Sequence, residues 1–230
     1  MTRNVFVTGG TGYIGRALLE ALVTRGHDCR ALVRPASAAR LPAGVDPVFG
    51  NALDADSYAD EVPPADTFVQ LVGTPHPGPS KAAEFARVDL PSGLAAVRAS
   101  VQANVRHLVY VSVAHPAPVM HAYIAARTAV EARIGEACAT SWLAATILRP
   151  WYVLGPGHRW PYLLKPLYAL GRALPSTRAG AQRLGLVTHA QMVAALVEAV
   201  EHPPDSSSSE PRVWEVPRIA RSHTEMEGVR

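Results

Sequence analysis

A glycine cluster near the start of the chain has the spacing that binds the pyrophosphate of a dinucleotide. The short apolar run Val5–Val7 leads into it, and its glycines fit both G-x-G-x-x-G and G-x-x-G-x-x-G. Glycine is required because the chain must turn tightly, approach a phosphate with its backbone, and let the next helix lie close to the strand. The alternative is an ordinary strand–turn–helix with a glycine-rich turn. The residues predicted to bind the dinucleotide here are Gly9, Thr11, Gly12, Tyr13, Ile14 and Gly15.

The end of the second predicted strand indicates which dinucleotide is bound. An acid there usually accepts hydrogen bonds from the ribose hydroxyls of NAD, but this strand ends in Val33 and Arg34. Asp28 lies at the other end of the strand, too far away to replace that acid. Arg34 has a permanent charge and a planar fork that suit a 2′-phosphate, with Arg40 or Arg30 as weaker helpers. The sequence therefore predicts NADP(H) in preference to NAD(H), the alternative being that Arg34 is a solvated turn residue.

Strand-like runs alternate with helical stretches through the first two thirds of the chain. Strands that are apolar on both faces and alternate with helices are typical of a doubly wound parallel sheet, so the predicted fold class is α/β, a Rossmann fold. The helix from about Glu84 to Gln102 carries Pro91, which must lie in its first turn or kink it. Besides the helix from Tyr13 to Arg25, the predicted elements are the strands Cys29–Val33, Pro47–Phe49, Thr67–Val72, Leu108–Val113 and Trp142–Leu148.

The pattern changes at Pro150, and the remaining chain is predicted to form a small C-terminal substrate lobe. We expect residues 1–150 to be the nucleotide-binding domain and residues 151–230 the lobe, with a flexible loop near residues 203–210. A helix capped by Thr188 and a last strand near residues 212–216 follow, with fraying past Ser222. Five aromatic residues form either an apolar substrate pocket or the core of the lobe: Trp151, Tyr152, Trp160, Tyr162 and Tyr168.

The composition is that of an ordinary globular protein. Hydrophobic residues make up 48% of the 230, without a run of about 18 that would span a bilayer, so no integral membrane association is expected. The net charge is +3 and the arginines are spread along the chain, which does not favour nucleic acid as a partner. Cys29 and Cys138 lie in apolar runs and the histidines lack metal-site spacing, so neither a disulfide nor a metal site is predicted. We expect a cytoplasmic monomer or homodimer acting on a small-molecule substrate.

Several motifs taken together resemble the short-chain dehydrogenase/reductase superfamily, specifically its extended and atypical members, which include epimerase-like and NmrA-like NAD(P)H-binding proteins. The resemblance covers about residues 4–217, and only its first motif is specific by itself. The motifs are Thr8–Gly15, Gly50–Asp54, Leu71–Thr74, Val109–Ser112, Tyr123–Arg127 and Leu148–Pro150.

The resemblance implies further contacts to the cofactor. Asn51, Ala52 and Leu53 would lie at the adenine, where an Asn side-chain oxygen can accept a hydrogen bond from the exocyclic amine. Gly73 and Thr74 would line the ribose and pyrophosphate, and the backbone after Pro150 would face the nicotinamide. Each of these residues is otherwise a loop residue that suits a turn.

The resemblance also implies a catalytic pair on one helix. Relatives that reduce carbonyls carry Tyr and Lys four residues apart, and here the pair is Tyr123 and Arg127. A cation beside the tyrosine favours its phenolate, while the phenol would donate to a carbonyl oxygen; Arg127 would bind ribose hydroxyls but cannot release a proton. The position of the usual oxygen-binding Ser or Thr is Ala114 here, which leaves Ser112 and His115 as substitutes. His115 is otherwise a plain loop histidine.

Two functions from different classes are compatible with these residues. The first is an NADP(H)-dependent reductase or dehydrogenase that acts on a small apolar carbonyl or alcohol, with Tyr123 as acid/base and Arg127 as anchor and electrostatic partner. The second is a binding protein of the NmrA-like type, which holds the cofactor without turnover as a redox sensor or scaffold. The substituted Ser and Lys positions favour the second, whereas Tyr123 and a cation at Arg127 favour the first. The sequence predicts the enzyme.

Overall fold

Parallel strands form one seven-stranded sheet in the computed structural model of the chain, which describes residues 2–154, 184–205 and 208–227, with side chains to Ser222 in the last helix. The strands are β1 (Asn4–Thr8), β2 (Asp28–Val33), β3 (Val45–Phe49), β4 (Thr67–Gln70), β5 (His107–Val111), β6 (Ala144–Arg149), β7 (Tyr152–Leu154), β8 (Leu186–Thr188) and β9 (Arg212–Glu215). The large sheet has the order β3-β2-β1-β4-β5-β6-β9, and β7 pairs with β8 in a second sheet. The doubly wound parallel sheet predicted from the sequence is confirmed.

Helices cover both faces of the large sheet. They are α1 (Tyr13–Thr24), the short α2 (Ala82–Glu84), α3 (Leu90–Gln102), α4 (His121–Thr140), α5 (His189–Glu201) and α6 (Val216–Glu227). One apolar core lies between the sheet and α3 and α4, around Phe6, Phe68 and Ile147. The other lies beneath α1, α5 and α6, around Leu18 and Leu196. The strand order reverses direction between β1 and β4, so the loops after these two strands open onto the crevice where such sheets bind nucleotides.

A π-helical turn, Phe85–Asp89, joins α2 to α3 and accommodates Pro91. Pro91 lies in the first turn of α3, where its missing N–H costs no helical hydrogen bond. The first of the two predicted positions for this proline is therefore confirmed. Asp89, the last residue of the π turn, is fully buried.

Four predicted strand boundaries need correction, and the first is that β3 begins at Val45 rather than Pro47. Trp142 is 84% exposed and precedes β6, because the chain reaches the core only at Leu143. β4 ends at Gln70 rather than residue 72, since the side-chain oxygen of Gln70 accepts the N–H of Val72. β5 ends at Val111 rather than residue 113, and Arg127 of α4 donates a hydrogen bond to the carbonyl oxygen of Val111.

The C-terminal part contributes to the same layers as the nucleotide-binding sheet. Thr188 caps α5 as predicted, with a reciprocal bond between Gln191 and the Thr188 backbone. α5 packs against α1, β9 pairs with β6, and α6 continues as a helix to Glu227 instead of fraying past Ser222. The rest of the predicted lobe, including Trp160, Tyr162 and Tyr168, lies outside the described residues, so the boundary at residue 150 stays a prediction.

Candidate functional site

The glycine loop between β1 and α1 has the geometry of a phosphate cradle. Gly9 has φ +78° and a side chain there would meet the backbone of Leu71 at 2.8 Å, so the loop lies directly on the chain leaving β4. A Cβ at Gly15 would collide with the carbonyl oxygen of Gly9 and come within 2.9 Å of Gly10 Cα, so this glycine allows α1 to pack on the loop. Gly12 begins α1 without a side-chain cap, and its exposed face leaves the helix N-terminus open to an anion.

The other predicted loop residues surround this helix terminus. Thr11 accepts a hydrogen bond through its carbonyl oxygen from Arg40 Nη2 at 3.0 Å. Tyr13 is exposed, and its ring lies 4.2 Å from that of His189, whose Nε2 is 3.0 Å from the Tyr13 carbonyl oxygen. Ile14 packs on the apolar core and anchors the first turn of α1. His189, which sequence analysis did not single out, thus attaches the start of α5 to the loop.

Cationic side chains lie at the carboxyl end of β2. Arg34 follows β2 directly, is exposed, and has no side-chain hydrogen bond or ion pair within the described ranges. The Arg40 guanidinium is attached to the glycine loop through Thr11. Arg30 lies elsewhere: it donates to the carbonyl oxygens of Glu61 and Pro63. Of the two weaker helpers, the structure brings Arg40 to the glycine loop and not Arg30.

The loop after β3 carries the predicted adenine contacts. Asn51 is exposed, and its side-chain oxygen accepts the N–H of Leu53 at 3.1 Å, which fixes a tight turn. Leu53 is 39% exposed, whereas Ala52 packs against the core. An exposed apolar side chain beside a polar one on a fixed turn fits the edge and face of a purine.

The loop after β4 is held by a buried ion pair that joins three elements. Arg127 of α4 donates from Nη2 to Asp89 Oδ1 at 2.6 Å and from Nη1 to the carbonyl oxygen of Val111 at 2.7 Å. The other oxygen of Asp89 accepts the N–H of Thr74 at 3.0 Å and its hydroxyl at 2.6 Å. A Cβ at Gly73 would collide with Arg127 and lie 2.9 Å from Asp89, so only glycine lets the loop cover this pair.

Tyr123 lies one helical turn before Arg127 on the same face of α4, as predicted. The Arg127 guanidinium carbon is 5.1 Å from the centre of the Tyr123 ring, which also packs on Phe85 at 4.9 Å. Burial raises the pKa of Tyr123 above its ordinary value of 10.0, and the charge of Arg127 only partly opposes this. Arg127 acts in the expected direction, since its charge favours the phenolate, but burial, together with the charge of Asp89, outweighs it and the phenol keeps its proton at neutral pH. This state suits a proton donor to a carbonyl oxygen.

Ser112 and His115 belong to a second polar cluster, centred on Glu131. Glu131 is one turn beyond Arg127 on α4 and accepts a hydrogen bond from the buried hydroxyl of Ser112. His115 Nε2 is 3.5 Å from Glu131, and Arg149 donates to both oxygens of this carboxylate, at 3.1 and 2.5 Å. Ser112 and His115, the two candidate substitutes, thus both lie beside Glu131, and the hydroxyl proton of Ser112 is donated to that carboxylate.

The chain leaving β6 runs beside the chain leaving β5. The carbonyl oxygen of the buried Pro150 accepts the N–H of Ala114 at 2.9 Å, and Ser112 donates its N–H to Leu148 at 2.7 Å. Trp151 follows and packs against the apolar core beneath α5. The predicted nicotinamide-facing backbone therefore continues the same carboxyl edge of the sheet as the glycine loop and the Arg127 pair.

Asp89 and Glu131 are the two acids that sequence analysis missed. Both lie in helical stretches, and Asp89 is two residues before Pro91, a pattern that indicates a helix start rather than a site. Glu131 follows Arg127 by four residues, and this spacing was the available signal for it. Asp89 is 38 residues from Arg127 and is brought close to it only by the fold.

Neither a spanning helix nor a metal cluster is found where the structure is described. None of the helices in residues 2–154, 184–205 and 208–227 combines the length and apolarity needed to cross a bilayer. The same ranges hold no group of three His, Cys, Asp or Glu side chains arranged to bind a metal ion.

Comparison with known proteins identifies relatives of this arrangement. The model of a family described as NAD dependent epimerase/dehydratase matches residues 5–216. Two curated proteins match parts of the chain: a 4-hydroxy-2-methyl-3-oxo-4-farnesyl-3,4-dihydroquinoline-1-oxide ketoreductase of Stigmatella aurantiaca is 33% identical over 109 residues, 46% of this chain and 32% of that protein. An isoflavone reductase homolog IRL of Zea mays is 38% identical over 80 residues, 30% of this chain and 26% of that protein. The matches thus span a third or less of those relatives.

Solved structures share the fold over nearly the whole chain. A UDP-galactose 4-epimerase superposes with a TM-score of 0.68 at 18% identity, covering 98% of this chain and 83% of the other. MoeE5 in complex with UDP-glucose and NAD gives 0.66 at 22% identity, with 98% and 82% covered. A short-chain dehydrogenase/reductase superfamily protein of Agrobacterium tumefaciens with bound NAD gives 0.66 at 18%, with the same coverage. Identities this low establish the fold alone.

Proposed function

Because this chain belongs to the NAD dependent epimerase/dehydratase family, we propose that it is an oxidoreductase that uses NADP(H) to interconvert a small apolar carbonyl compound and its alcohol. One observation carries the proposal: Tyr123, a phenol with a raised pKa, stands over the Arg127–Asp89 pair at the carboxyl edge of the sheet. A proton donor fixed beside a nucleotide crevice is the group that carbonyl reduction requires of the protein.

The chain's own residues divide the work between holding the cofactor and supplying the proton. The open N-terminus of α1 and the backbone of Gly9–Gly12 would hold the pyrophosphate, and the turn at Asn51 the adenine. When bound, the nicotinamide would supply the hydride. Tyr123 would donate its phenolic proton to the substrate oxygen, and Arg127, held by Asp89, would keep the ring and the loop at Gly73 in place.

Preference for the 2′-phosphorylated cofactor rests on the charges after β2. Arg34 is exposed without a partner in the described part of the chain, and Arg40 reaches the glycine loop from the same side. A planar guanidinium binds a phosphate through two parallel hydrogen bonds, and no acid follows β2 to accept from ribose hydroxyls.

An apolar substrate is supported by the two partial relatives, which are named as a ketoreductase and a reductase homolog. The ketoreductase is named for a farnesylated ring ketone, a largely apolar carbonyl compound. In this chain Trp151 and Tyr152, both partly buried, follow Pro150 and would form one apolar wall. The proposal includes a cytoplasmic location and a monomeric or homodimeric state.

The second candidate is a cofactor-binding sensor or scaffold without turnover. It is favoured because candidate catalytic side chains already form hydrogen bonds within the protein. The hydroxyl of Ser112 is taken up by Glu131, and both terminal nitrogens of Arg127 are bonded within the protein. These groups have structural partners that substrate or ribose would have to displace.

Turnover distinguishes the two candidates. Purified protein is incubated with NADPH and a panel of aldehydes, ketones and quinones, and its dissociation constants for NADPH and NADH are measured by titration. The oxidoreductase proposal expects NADPH oxidation with at least one apolar carbonyl, and loss of that oxidation in Tyr123→Phe with NADPH binding unchanged. The core substitution Tyr58→Phe is the matched control. Tight NADPH binding without turnover of any panel member would establish the sensor instead.

Cofactor preference has its own test. Arg34→Ala is expected to weaken NADPH binding about tenfold or more, since it removes a charged hydrogen bond, and to leave NADH binding within about twofold. Arg30→Ala, whose guanidinium binds backbone carbonyls away from the loop, is the control and should change neither constant. A wild-type protein that binds NADH more tightly than NADPH would contradict the preference.

A further inference from the structure

A second cationic cluster lies at the amino-terminal edge of the sheet, opposite the glycine loop. Arg3 precedes β1, Arg106 precedes β5, and His107 is the first residue of β5. Because the strands are parallel, these residues meet at the edge that the cofactor does not use. They line a cavity of about 280 Å³ together with Asp66, Pro203 and Pro204.

Buried nitrogen atoms without hydrogen-bond partners occur in two residues that line this cavity, Arg3 and His107, and in the neighbouring Arg212. The Nε atoms of Arg3 and Arg212 and the Nδ1 atom of His107 are buried, and none has a hydrogen-bond partner among the described residues. His107 is 1% exposed and lines the cavity. An arginine Nε–H can only donate, and buried donors without an acceptor are rare in folded proteins.

The contacts of His107 leave its free nitrogen, Nδ1, able to donate a hydrogen bond. Its Nε2 lies 3.0 Å from the Thr146 hydroxyl, whose oxygen accepts from Arg212 Nη2 at 3.3 Å. In the tautomer in which the Thr146 hydroxyl donates to His107 Nε2, the single ring proton lies on Nδ1. Burial and the charges of Arg212 and Arg3 lower the pKa of His107 to about 3, so the ring is neutral at physiological pH.

The charge at the cavity is positive and incompletely balanced. Arg3 Nη1 lies 3.6 Å from Asp66 Oδ1, and the same carboxylate accepts the Asn4 N–H at 3.1 Å and the Thr67 hydroxyl at 2.7 Å. Arg106 is exposed and forms no ion pair or side-chain hydrogen bond in residues 2–154, 184–205 and 208–227. The Asp66 carboxylate thus serves Arg3 and two other donors, and Arg106 has no carboxylate partner among the described residues.

We propose that this cavity binds a small oxyanion, a phosphate or a carboxylate, through Arg3, Arg106 and His107. The anion oxygens accept from His107 Nδ1 and Arg3 Nε and pair with the Arg106 guanidinium. The bound anion would join the starts of β1 and β5 to the Pro203–Pro204 turn after α5. The site is separate from the glycine loop, and the proposal does not depend on the proposed oxidoreductase function.

Calorimetric titration of the full chain with inorganic phosphate tests the proposal, with and without saturating NADP⁺, because phosphate can also enter the glycine loop. We expect one saturable site that persists with NADP⁺ present. Arg106→Ala should weaken that binding about tenfold, which is the loss of one charged hydrogen bond, whereas Arg106→Lys retains most of it. Arg133→Ala, which removes an exposed arginine paired with Glu136 on α4, is the matched control and should bind as wild type.

Three further comparisons define the anion and the outcome. Phenyl phosphate and succinate replace inorganic phosphate in parallel titrations, and the tighter of the two identifies a phosphate or a carboxylate ligand. His107→Phe should abolish the site; if that buried variant does not fold, the exposed Arg106→Ala variant still decides. The proposal is overturned if none of the three anions binds saturably with NADP⁺ present, or if Arg106→Ala and Arg133→Ala bind alike.

Discussion

At the scale of single residues, the environment of Tyr123 determines what chemistry it can do. Arginine at the position of the expected lysine keeps a positive charge, but Asp89 balances that charge within 2.6 Å. The net effect on Tyr123 is a raised pKa, caused mainly by burial. A tyrosine in this state keeps its phenolic proton at neutral pH and can donate it, and almost no phenolate is present to act as a base.

The pH dependence of carbonyl reduction should reflect this. The protonated phenol is the active form, so activity is lost only as pH rises through the Tyr123 pKa, which lies above 10.0. We expect kcat/KM for reduction to show no alkaline decline between pH 7 and about 10, the ordinary tyrosine pKa. Stopped-flow measurement of NADPH oxidation across this range checks it. A decline centred near pH 8 would show that another group controls the proton.

The Asp89–Arg127 pair makes a second prediction. Asp89→Asn keeps an acceptor for Thr74 but leaves the buried Arg127 charge unpaired, which should cost about 3 kcal/mol or more of unfolding free energy. Arg127→Gln should be costly for the same reason, whereas the double variant should lose clearly less than the sum of the two. Urea unfolding of the four proteins measures this coupling. Additive losses would mean that the two charges do not interact.

Single residues were predictable from the sequence where a short local pattern of residue types defines them. The glycine loop and the Tyr123–Arg127 spacing are local patterns, and the structure gives both the expected form. Asp89 and Glu131 escaped because a carboxylate reveals its partner only after folding has brought distant elements together. The roles assigned to Ser112 and His115 remain predictions, now with Glu131 as a neighbour of both.

At the scale of elements, α1 and its loop depend on glycines for a reason that can be tested separately from helix propensity. Gly15→Ala places a Cβ against the backbone of Gly9 and Gly10, which cannot move aside as a flexible side chain can. We expect at least about a tenfold loss of NADPH affinity, as the loop shifts from the helix terminus. Gly135→Ala is the matched control, because a Cβ there meets nothing within 4 Å on α4.

That control should behave in the opposite direction. Alanine in a helix interior with open space around its Cβ is favoured over glycine by about 0.5 to 1 kcal/mol, so Gly135→Ala should unfold at a higher urea concentration than wild type and bind NADPH equally. If Gly15→Ala bound NADPH as tightly as Gly135→Ala, the close packing of α1 on the loop would not be required for cofactor binding.

Element types were predictable and some element ends were not. Alternating apolar runs predicted the six strands of the sheet through β6, and the last strand near residue 212, because burial on both faces leaves a continuous hydrophobic pattern. Trp142 was wrongly assigned to a strand, because the residue type alone does not show whether a tryptophan is buried or exposed. The π turn Phe85–Asp89 was not predicted, and the partners of its last residue, Thr74 and Arg127, are distant from it in the sequence.

At the scale of the whole molecule, the chain is an α/β protein whose two apolar cores are separated by one parallel sheet. The resemblance to the short-chain dehydrogenase/reductase superfamily, inferred from short motifs, is confirmed by the family match over residues 5–216 and by the shared fold of the solved structures. Neither source identifies the substrate, since the residues that would contact it follow Pro150, where the motifs end.

The stability of the folded molecule should fall in mild acid because of His107. Its pKa is lowered to about 3 by burial, with Arg212 and Arg3 adding to the effect, whereas an unfolded histidine titrates near 6.5. The unfolded chain therefore takes up a proton that the folded chain refuses, and stability is lost as pH falls below about 6.5. The expected slope from this residue is about 1.4 kcal/mol per pH unit. Urea unfolding at pH 7, 6, 5 and 4 should show a smaller slope in His107→Gln, and equal slopes would contradict the assignment.

Helix α5 touches both ends of the molecule. It begins at His189, which contacts Tyr13 of the glycine loop, and it ends at Glu201, whose carbonyl oxygen accepts from Arg3 beside the oxyanion cavity. Thirteen residues at about 1.5 Å each make a rigid connection of about 20 Å between the two places. Thermodynamic linkage then applies: by whatever factor an anion at one end changes the affinity for cofactor at the other, the cofactor must change the affinity for the anion by the same factor.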